Sequence, residues 1–388
     1  MLFRSGRLNC ATQLQTTVSG GYGNRAVGNR ATVGGGWINS ASGYYSTVSG
    51  GYCNTASGQR STVVGGSNNI ASGNCSFVGG GRLNTSSGIY SFVGGGISNS
   101  ATTGHATVVG GQGNLSCGCR TFVGGGCNNT ASGNYAATVA GGYNNNSLSI
   151  YTFVGGGDSN TANSGRSVVA GGYNSTASGS YSAILGGYQN VASGGYGTIS
   201  GGYRNLASGN NAAFVGGGVG NCATGGRASI VGGTGNTASG QLSSIGGGDC
   251  STASGQRSNI GGGYGHTASN NYSVIGGGYV NSSTGYAATV SGGYRNCSAA
   301  NNATIGGGLC NWICCSVAAT CSAGATISGG VGHNTSGGTW SATGYFTSAV
   351  TAFYAAGQLS TIGGGFQNRA TGTNTTVSGG YKIGRAHV

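Results

Sequence analysis

The chain has 388 residues, of which 90 are glycine, 13 are cysteine and none is proline. Only 4% of the residues are charged, and the formal net charge is +13 because fifteen basic residues stand against two acidic ones. This scarcity of carboxylates excludes hydrolases that work through a carboxylate pair and calcium β-rolls that need aspartate ladders. Glycine does not recur at every third position, which excludes a collagen triple helix.

Both termini depart from the pattern of the rest of the chain. The last residues, KIGRAHV (382–388), are what the start of a widely used sequencing adapter encodes, and MLFRS (1–5) fits its reverse complement with GTG read as a start codon. We therefore interpret 1–5 and 382–388 as adapter read-through and expect the natural chain to extend in both directions. The remainder has twelve arginines and two aspartates, a formal charge of +10.

From residue 6 onwards the chain repeats a fifteen-residue sequence, as in TVSGGYCNTASGQRS at 47–61. Twenty consecutive repeats share the consensus [T/F/S]-[V/I]-x-G-G-Y-x-N-x-A-S-G-x-[Y/R]-[S/A], with one-residue insertions before Thr138 and Phe214. Position 2 is Val or Ile, and positions 4 and 5 are Gly, in all twenty repeats. Position 8 is Asn in seventeen and position 10 is Ala or Ser in nineteen. A strict period of this kind predicts a solenoid.

The fold that these positions predict is an all-β parallel β-solenoid with one turn per repeat. A β-branched residue at position 2 suits a short strand with one face inward. Fifteen residues cannot bury a core alone, but stacked turns share one. Two adjacent glycines in every repeat destabilise a helix by about 1 kcal/mol each. We expect position 2 to form the core column, which includes Val18, Val33, Val48, Val63, Val78, Ile184, Ile199 and Ile245.

The other kept positions predict the corners of each turn. The Gly-Gly pair marks a corner whose dihedral angles or close backbone approach exclude a Cβ atom. Ala at position 10 is the small inward residue of an opposite short strand, and the glycine at position 12 makes a second corner. Asn at position 8 either stacks as a ladder of side chains or caps a turn through local backbone hydrogen bonds.

The order G-G-Y-x-N-x-A-S-G-x-Y-S before a Val/Ile strand resembles the head repeats of YadA-like trimeric autotransporter adhesins. The resemblance covers about 6–311 and 361–381, although the repeat here is one residue longer. It implies a single-stranded, left-handed parallel β-roll that trimerises and is exposed on a bacterial surface for attachment. Related repeats also occur in phage tail fibres, so the resemblance does not fix the host.

We therefore expect a non-enzymatic adhesin or fibre segment without a cofactor, located at the cell surface. Its expected partners are two further copies of itself and a host surface protein, matrix or glycan. A membrane would be reached only through an anchor outside this sequence. The alternatives are a phage tail-fibre or virion shaft, which would be located on the virion, and an ice-binding solenoid. For the last, position 1 is Thr in nine repeats, but position 3 varies among Gly, Ser, Ala, Val and Leu.

The candidate binding residues lie at positions 6 and 14. Position 6 is Tyr or Trp in ten repeats, and position 14 is Tyr or Arg in thirteen. Repeated Tyr and Arg suit either an adhesive surface or ladders that pack along the turns and between subunits. The arginines are spread along the sequence, so we expect a solvated surface without a specific nucleic-acid site. The candidates are Tyr22, Trp37, Tyr52, Tyr173, Tyr188, Tyr203, Arg30 and Arg60.

The period is interrupted over 312–360, except around Thr326, and resumes over 361–381. We interpret 312–360 as an inserted loop or a set of degenerate turns. Its cysteines fit no structural zinc spacing, so we expect no metal site there. The odd number of cysteines and their scattered repeat positions leave the disulfide state open. The residues considered as metal ligands are Cys310, Cys314, Cys315, Cys321 and His333.

Overall fold

The computed structural model describes residues 6–313, 322–333 and 357–382, and the backbone of Phe3–Arg4, Thr339–Trp340 and Phe346–Ser348. These residues contain β-strands and turns but no helix, and so no helix long and apolar enough to cross a bilayer. They fall into two compact units, Met1–Asn190 (unit 1) and Val191–Val388 (unit 2). Each unit is a parallel β-solenoid, with about 22 turns in the two together. The predicted all-β parallel solenoid is confirmed.

Every turn contributes a first strand at positions 1 and 2 and, in most turns, a second strand at positions 9 and 10. The first strands of unit 1 are Phe3–Arg4, Thr17–Val18, Thr32–Val33, Thr47–Val48, Thr62–Val63, Phe77–Val78, Phe92–Val93, Thr107–Val108, Phe122–Val123, Thr138–Val139, Phe153–Val154, Val168–Val169 and Ala183–Ile184. The second strands of unit 1 are Cys10–Ala11, Arg25–Ala26, Ser40–Ala41, Thr55–Ala56, Ile70–Ala71, Thr85–Ser86, Ser100–Ala101, Leu115–Ser116, Thr130–Ala131, Asn146–Ser147, Thr161–Ala162 and Thr176–Ala177.

Unit 2 repeats this arrangement and adds one antiparallel pair, Thr339–Trp340 with Phe346–Ser348. Its first strands are Thr198–Ile199, Phe214–Val215, Ser229–Ile230, Ser244–Ile245, Asn259–Ile260, Val274–Ile275, Thr289–Val290, Thr304–Ile305, Thr326–Ile327, Thr361–Ile362 and Thr376–Val377. Its second strands are Val191–Ala192, Leu206–Ala207, Cys222–Ala223, Thr237–Ala238, Thr252–Ala253, Thr267–Ala268, Ser282–Ser283, Cys297–Ser298 and Trp312–Ile313.

The core of each unit is a column of position-2 side chains facing a column of position-10 side chains. Val48 pairs with Val63 in a parallel register, and both are completely buried. Ala56 and Ala71 pair in the same way on the second strand. One large and one small aliphatic residue per turn give a thin core, which only stacked turns can share. The eight predicted core residues are buried to 0 or 1% exposure: Val18, Val33, Val48, Val63, Val78, Ile184, Ile199 and Ile245.

A ladder of asparagines at position 8 joins each turn to the next. The backbone N–H of Asn54 donates to Oδ1 of Asn39 in the preceding turn at 2.9 Å. The Nδ2 group of Asn54 donates to the carbonyls of Gly50 and Gly66, each at 2.9 Å. The side chain of Asn54 therefore satisfies buried backbone groups in its own turn and in the following one, where its Oδ1 accepts from the N–H of Asn69. Both predicted functions, stacking and local capping, are performed by the same side chain.

The two glycines of the corner differ in what their backbone requires. Gly66 at position 5 has a φ of +85°, and a Cβ there would collide with the carbonyl oxygen of Gly81. Gly65 at position 4 has no heavy atom within 4 Å of where its Cβ would lie. We expected a close backbone approach at both glycines, and the structure shows it at position 5 only. At position 4 a Cβ atom would meet no neighbouring atom, so steric crowding within the chain does not explain the glycine there.

Two further positions of each turn have a left-handed backbone although most of them are not glycine. At position 14, Arg30, Tyr45 and Arg60 have φ values of 60°, 57° and 57°. At position 7, Ile38 and Cys53 have φ values of 54°. A non-glycine residue in this region costs about 1 kcal/mol or more. The stacked neighbours hold it there, since the N–H of Tyr45 donates to the carbonyl of Asn29 at 3.0 Å.

Position 6 adds a third β-element that the repeat pattern did not predict. Successive position-6 residues form isolated parallel bridges, such as Tyr22 with Trp37 and Trp37 with Tyr52. The N–H of Trp37 donates to the carbonyl of Gly51 at 2.9 Å. This bridge fixes the height of each position-6 side chain relative to its neighbours.

All extra residues are accommodated after position 8 of a turn. Across the two one-residue insertions, Phe122 still pairs with Thr138, and Thr198 still pairs with Phe214. Within 312–360, Trp312–Ile313 and residues 322–333 and 357–360 belong to regular turns. The first strand Thr326–Ile327 pairs with its neighbours on both sides. The intervening residues 314–321 and 334–356 lie mostly outside the described part.

Candidate functional site

The position-6 side chains form stacks of aromatic rings along each unit. The rings of Tyr22 and Trp37 are 4.4 Å apart with an interplanar angle of 26°, and those of Tyr173 and Tyr188 are 4.7 Å apart at 14°. In unit 2, Tyr264, Tyr279 and Tyr294 form a continuous stack of three. Stacking covers the ring faces inside each stack and leaves the ring edges to solvent.

The remaining position-6 candidates are also partly exposed. Trp37 and Tyr52 are each 49% exposed. The guanidinium carbon of Arg204 lies 4.9 Å from the ring centroid of Tyr203, which places a cation on one face of that ring. The aromatic position-6 residues therefore pack on one another as ladders and stay partly exposed; their use as an adhesive surface stays a prediction.

At position 14 of unit 1, arginine and tyrosine side chains pack on each other between turns. The guanidinium carbon of Arg30 lies 5.0 Å from the ring centroid of Tyr45. The guanidinium of Arg166 lies between two rings, at 5.5 Å from Tyr151 and 5.1 Å from Tyr181. The Nη1 group of Arg166 also donates to the hydroxyl of Tyr181 at 2.6 Å. These contacts fix the guanidinium groups in place while leaving the residues exposed.

Arg30 and Arg60 belong to arginines that are scattered along the sequence, but the fold gathers half of these arginines on the position-14 edge of their own unit. Six of the twelve arginines between residues 6 and 381 occupy position 14, and the others lie at positions 6, 7 and 9. Both aspartates, Asp158 and Asp249, are at position 6. The position-14 edge of each unit is therefore cationic and carries no carboxylate. The six are Arg30, Arg60, Arg120, Arg166, Arg227 and Arg257.

The outward face of the first strands, formed by positions 1 and 3, has the opposite character. In the turns that begin between Thr17 and Thr376, no residue at these positions is charged. Apolar side chains are exposed on this face, among them Val109 at 47% and Leu185 at 57%. Each phenylalanine at position 1 is followed by glycine at position 3, and its ring lies over that glycine, as Phe122 lies over Gly124. We call this surface the first-strand face.

Two histidines replace asparagine in the position-8 ladder. Both His266 and His333 are buried, with exposures of 1% and 0%. The N–H of Asn281 donates to Nδ1 of His266 at 3.0 Å, and that of Asn368 donates to Nδ1 of His333 at 3.1 Å. Since Nδ1 accepts, the network assigns the proton to Nε2.

The buried environment disfavours the charged form of both imidazoles. Nε2 of His266 lies inside the column near the carbonyls of Gly262 and Gly278 without a hydrogen bond of regular geometry. Burial lowers the pKa of His266, and hydrogen bonding with the backbone offsets part of this effect. The pKa of His333 is lowered for the same reason. His333 therefore acts in the ladder, which is not the role of an outward metal ligand.

The described cysteines form no cluster of metal ligands. The ten cysteines of the described part are not joined in disulfides, and within that part no three or more His, Cys, Asp or Glu side chains converge as metal ligands. Burial raises the pKa of Cys310, and the charge of Arg295 partly opposes this. Three of the cysteines considered above lie outside the described residues: Cys314, Cys315 and Cys321.

The comparisons with known proteins supply no relative. No protein-family model matches the chain, and no curated protein matches it.

Proposed function

We propose that this chain is an attachment segment of a surface fibre or adhesin, built as a left-handed β-roll that associates into homotrimers like the YadA-like heads it resembles. The observation that carries the proposal is the separation of surfaces. The first-strand face is uncharged and partly apolar, whereas most Tyr and Arg residues occupy positions 6 and 14. Uncharged apolar area suits subunit contact, and exposed Tyr and Arg suit a ligand.

The first-strand face is the proposed contact between copies. Depletion of charge at the centre of an interface is typical of permanent assemblies, and a core of one Val or Ile and one Ala per turn gains from burial of a further apolar face. With three copies, each repeated ligand contact is presented many times, so that weak contacts combine into avidity.

Sedimentation velocity of the full chain tests the assembly. We expect a trimer that Val109→Lys dissociates, because the lysine places a charge on the first-strand face. Ile70→Lys is the matched control: Ile70 is 41% exposed, against 47% for Val109, but lies on the second strand at position 9. A folded, monodisperse monomer for the unsubstituted chain contradicts the trimer.

Beads coated with the chain test the attachment. We expect them to adhere to cultured cells or extracellular matrix at levels well above beads coated with an unrelated protein of equal net charge. Equal retention of the two kinds of bead contradicts an attachment function.

A virion shaft would share the same surfaces, and it would be indicated by a self-cleaving chaperone domain in the natural continuation of the gene.

An ice-binding function is the second candidate. Its binding surface would be formed by hydroxyl side chains of the second strand, at positions 9 and 11, and not by those of the first strand. Over four successive turns of unit 2, positions 9 and 11 both carry hydroxyl side chains, and the turns pair in register. These are Thr237 with Ser239, Thr252 with Ser254, Thr267 with Ser269 and Ser282 with Thr284. A thermal-hysteresis measurement decides: a gap that Thr252→Tyr abolishes supports this candidate, and no gap removes it.

A further inference from the structure

We propose that the cationic edge of unit 1 binds linear sulfated polysaccharides. The edge, called here the arginine edge, consists of the exposed position-14 side chains of unit 1, and its cations are Arg30, Arg60, Arg120 and Arg166. The proposal names the ligand class for the attachment function proposed above and rests on that function.

The regular backbone places these cations along one line. Arg30, Arg60, Arg120 and Arg166 have φ values between 57° and 60°, so their side chains leave the turn from the same backbone conformation. Turns stacked at about 4.8 Å put successive arginines of the edge about 10, 19 and 14 Å apart. An extended polyanion lying along the edge meets one guanidinium after another without bending.

Three of the four guanidinium groups, those of Arg30, Arg120 and Arg166, are pre-organised for anions by packing on tyrosine rings. Arg120 packs on the ring of Tyr135 at 5.0 Å and donates to its hydroxyl, and Arg166 is held between two rings. Holding a guanidinium flat on a ring reduces the entropy lost when it binds an anion. Its remaining N–H groups keep the geometry that suits the oxygens of a sulfate. Because no carboxylate lies on this edge, nothing in the sequence neutralises it there.

The same packing favours a polysaccharide over a nucleic acid. Binding of single strands depends on free aromatic faces on which bases stack. On the arginine edge, Tyr45, Tyr151 and Tyr181 have a guanidinium on a face, and the ring of Tyr90 stacks on His105 at 5.2 Å. Each of these rings therefore has one face already covered, which leaves at most one face on which a base could stack. A polymer that offers repeated charge without bases fits this surface.

Fluorescence anisotropy with a labelled heparin oligosaccharide tests the proposal on the full chain. The edge variant is Arg60→Gln/Arg120→Gln/Arg166→Gln. An exposed ion pair contributes a factor of about two to five, so we expect the edge variant to lose about tenfold or more in affinity. The matched control is Arg7→Gln/Arg25→Gln/Arg82→Gln, which removes the same charge from positions 6 and 9 of the same unit. It should lose less than about threefold, the effect of net charge alone.

Two outcomes overturn the proposal. If the two triple variants lose affinity equally, the binding is a net-charge effect and the edge is not a site. If a single-stranded DNA of equal charge binds as tightly as heparin, and only the edge variant weakens it, the edge is a general polyanion or nucleic-acid site. Circular dichroism of both variants shows whether the fold is retained.

Adhesion to cells depleted of sulfated glycans separates this inference from the attachment function. Loss of bead adhesion on chlorate-treated cells, together with loss in the edge variant, supports both. Adhesion that persists on treated cells retains the attachment function and rejects the sulfated ligand. Beads that never adhere reject the attachment function, and heparin binding in solution still decides whether the edge is a site.

Discussion

At the scale of single residues, each turn depends on three backbone positions with positive φ. Position 5 is glycine throughout, as its contact with the next turn demands, whereas positions 7 and 14 carry Ile, Cys, Tyr and Arg in the same left-handed region. The strain at positions 7 and 14 is about 1 kcal/mol per residue, and hydrogen bonds to neighbouring turns oppose it. A turn is therefore stable only when it is flanked by others.

The two corner glycines give the first residue-scale prediction. Gly66→Ala should destabilise its turn by about 3 kcal/mol or more, because the new Cβ meets backbone that cannot move aside at a strained φ. Gly65→Ala is the control and should change local stability by less than about 1 kcal/mol. Amide hydrogen exchange of the flanking turns measures both changes. Equal effects would contradict the distinction between positions 4 and 5.

The buried histidines give a prediction about pH. The pKa of His266 is lowered in the folded chain, so below about pH 6.5 the unfolded chain binds more protons than the folded one. The free energy of unfolding therefore keeps its full value above that pH. It falls as pH decreases, by at most about 2 kcal/mol per histidine between pH 6.5 and 5.

His266→Asn should remove the contribution of His266 to this pH dependence, because asparagine restores the ladder without a titrating group. Asn236→Ser serves as control, because it alters the ladder without changing a titrating group, and it should leave the slope of stability against pH unchanged. Hydrogen exchange of the turns around residue 266 at pH 7.5 and 5 measures it. A slope that persists in His266→Asn would place the titration elsewhere.

At the scale of the turn, the sequence predicts those features that depend on side chains recurring at fixed positions. The period, the Val/Ile column and the Ala column follow from side chains that recur at fixed positions. The left-handed backbone at Tyr45 and Cys53 carries no local signal, since neither residue type favours positive φ. The bridge at position 6 is also hidden, because its hydrogen bonds involve only backbone. The gathering of arginines on one edge becomes visible only when the turns are stacked in register.

The turn tolerates added length on one side only, which gives an element-scale prediction. From Thr17 onwards the irregularities of length between described strands fall after position 8, in the half of the turn that leads to the next first strand. A glycine inserted after Arg60 should leave the fold intact and lower the melting temperature by a few degrees, since closing a slightly longer loop costs little.

A glycine inserted after Gly66 is the matched variant, and it should abolish hydrogen-exchange protection of its own turn. The insertion moves Asn69 out of register with Asn54 and Asn84, which removes ladder hydrogen bonds on both sides. Protection that survives this insertion would show that the first half of the turn is as adaptable as the second.

At the scale of the molecule, stability is expected to be a sum over turns and their interfaces. Deleting residues 62–76 removes one complete turn and joins Ser61 to Phe77 in the register of the repeat. This variant should keep the circular dichroism per residue and the protection of the flanking turns. Deleting 62–69 removes half a turn and should destroy both. Unfolding of the whole chain on removal of 62–76 would contradict a stability that is the sum of similar contributions from each turn.

The in-register pairing of near-identical turns has a genetic consequence. Unequal recombination between two copies of the repeat adds or removes whole turns, and every such product places each position directly above its counterpart. The number of turns can therefore change without compensating mutations elsewhere, and the position-14 residues of every product stay on the same edge of the solenoid. Selection for a longer or shorter solenoid can therefore act through the number of repeats in the gene, and no new side chain is required.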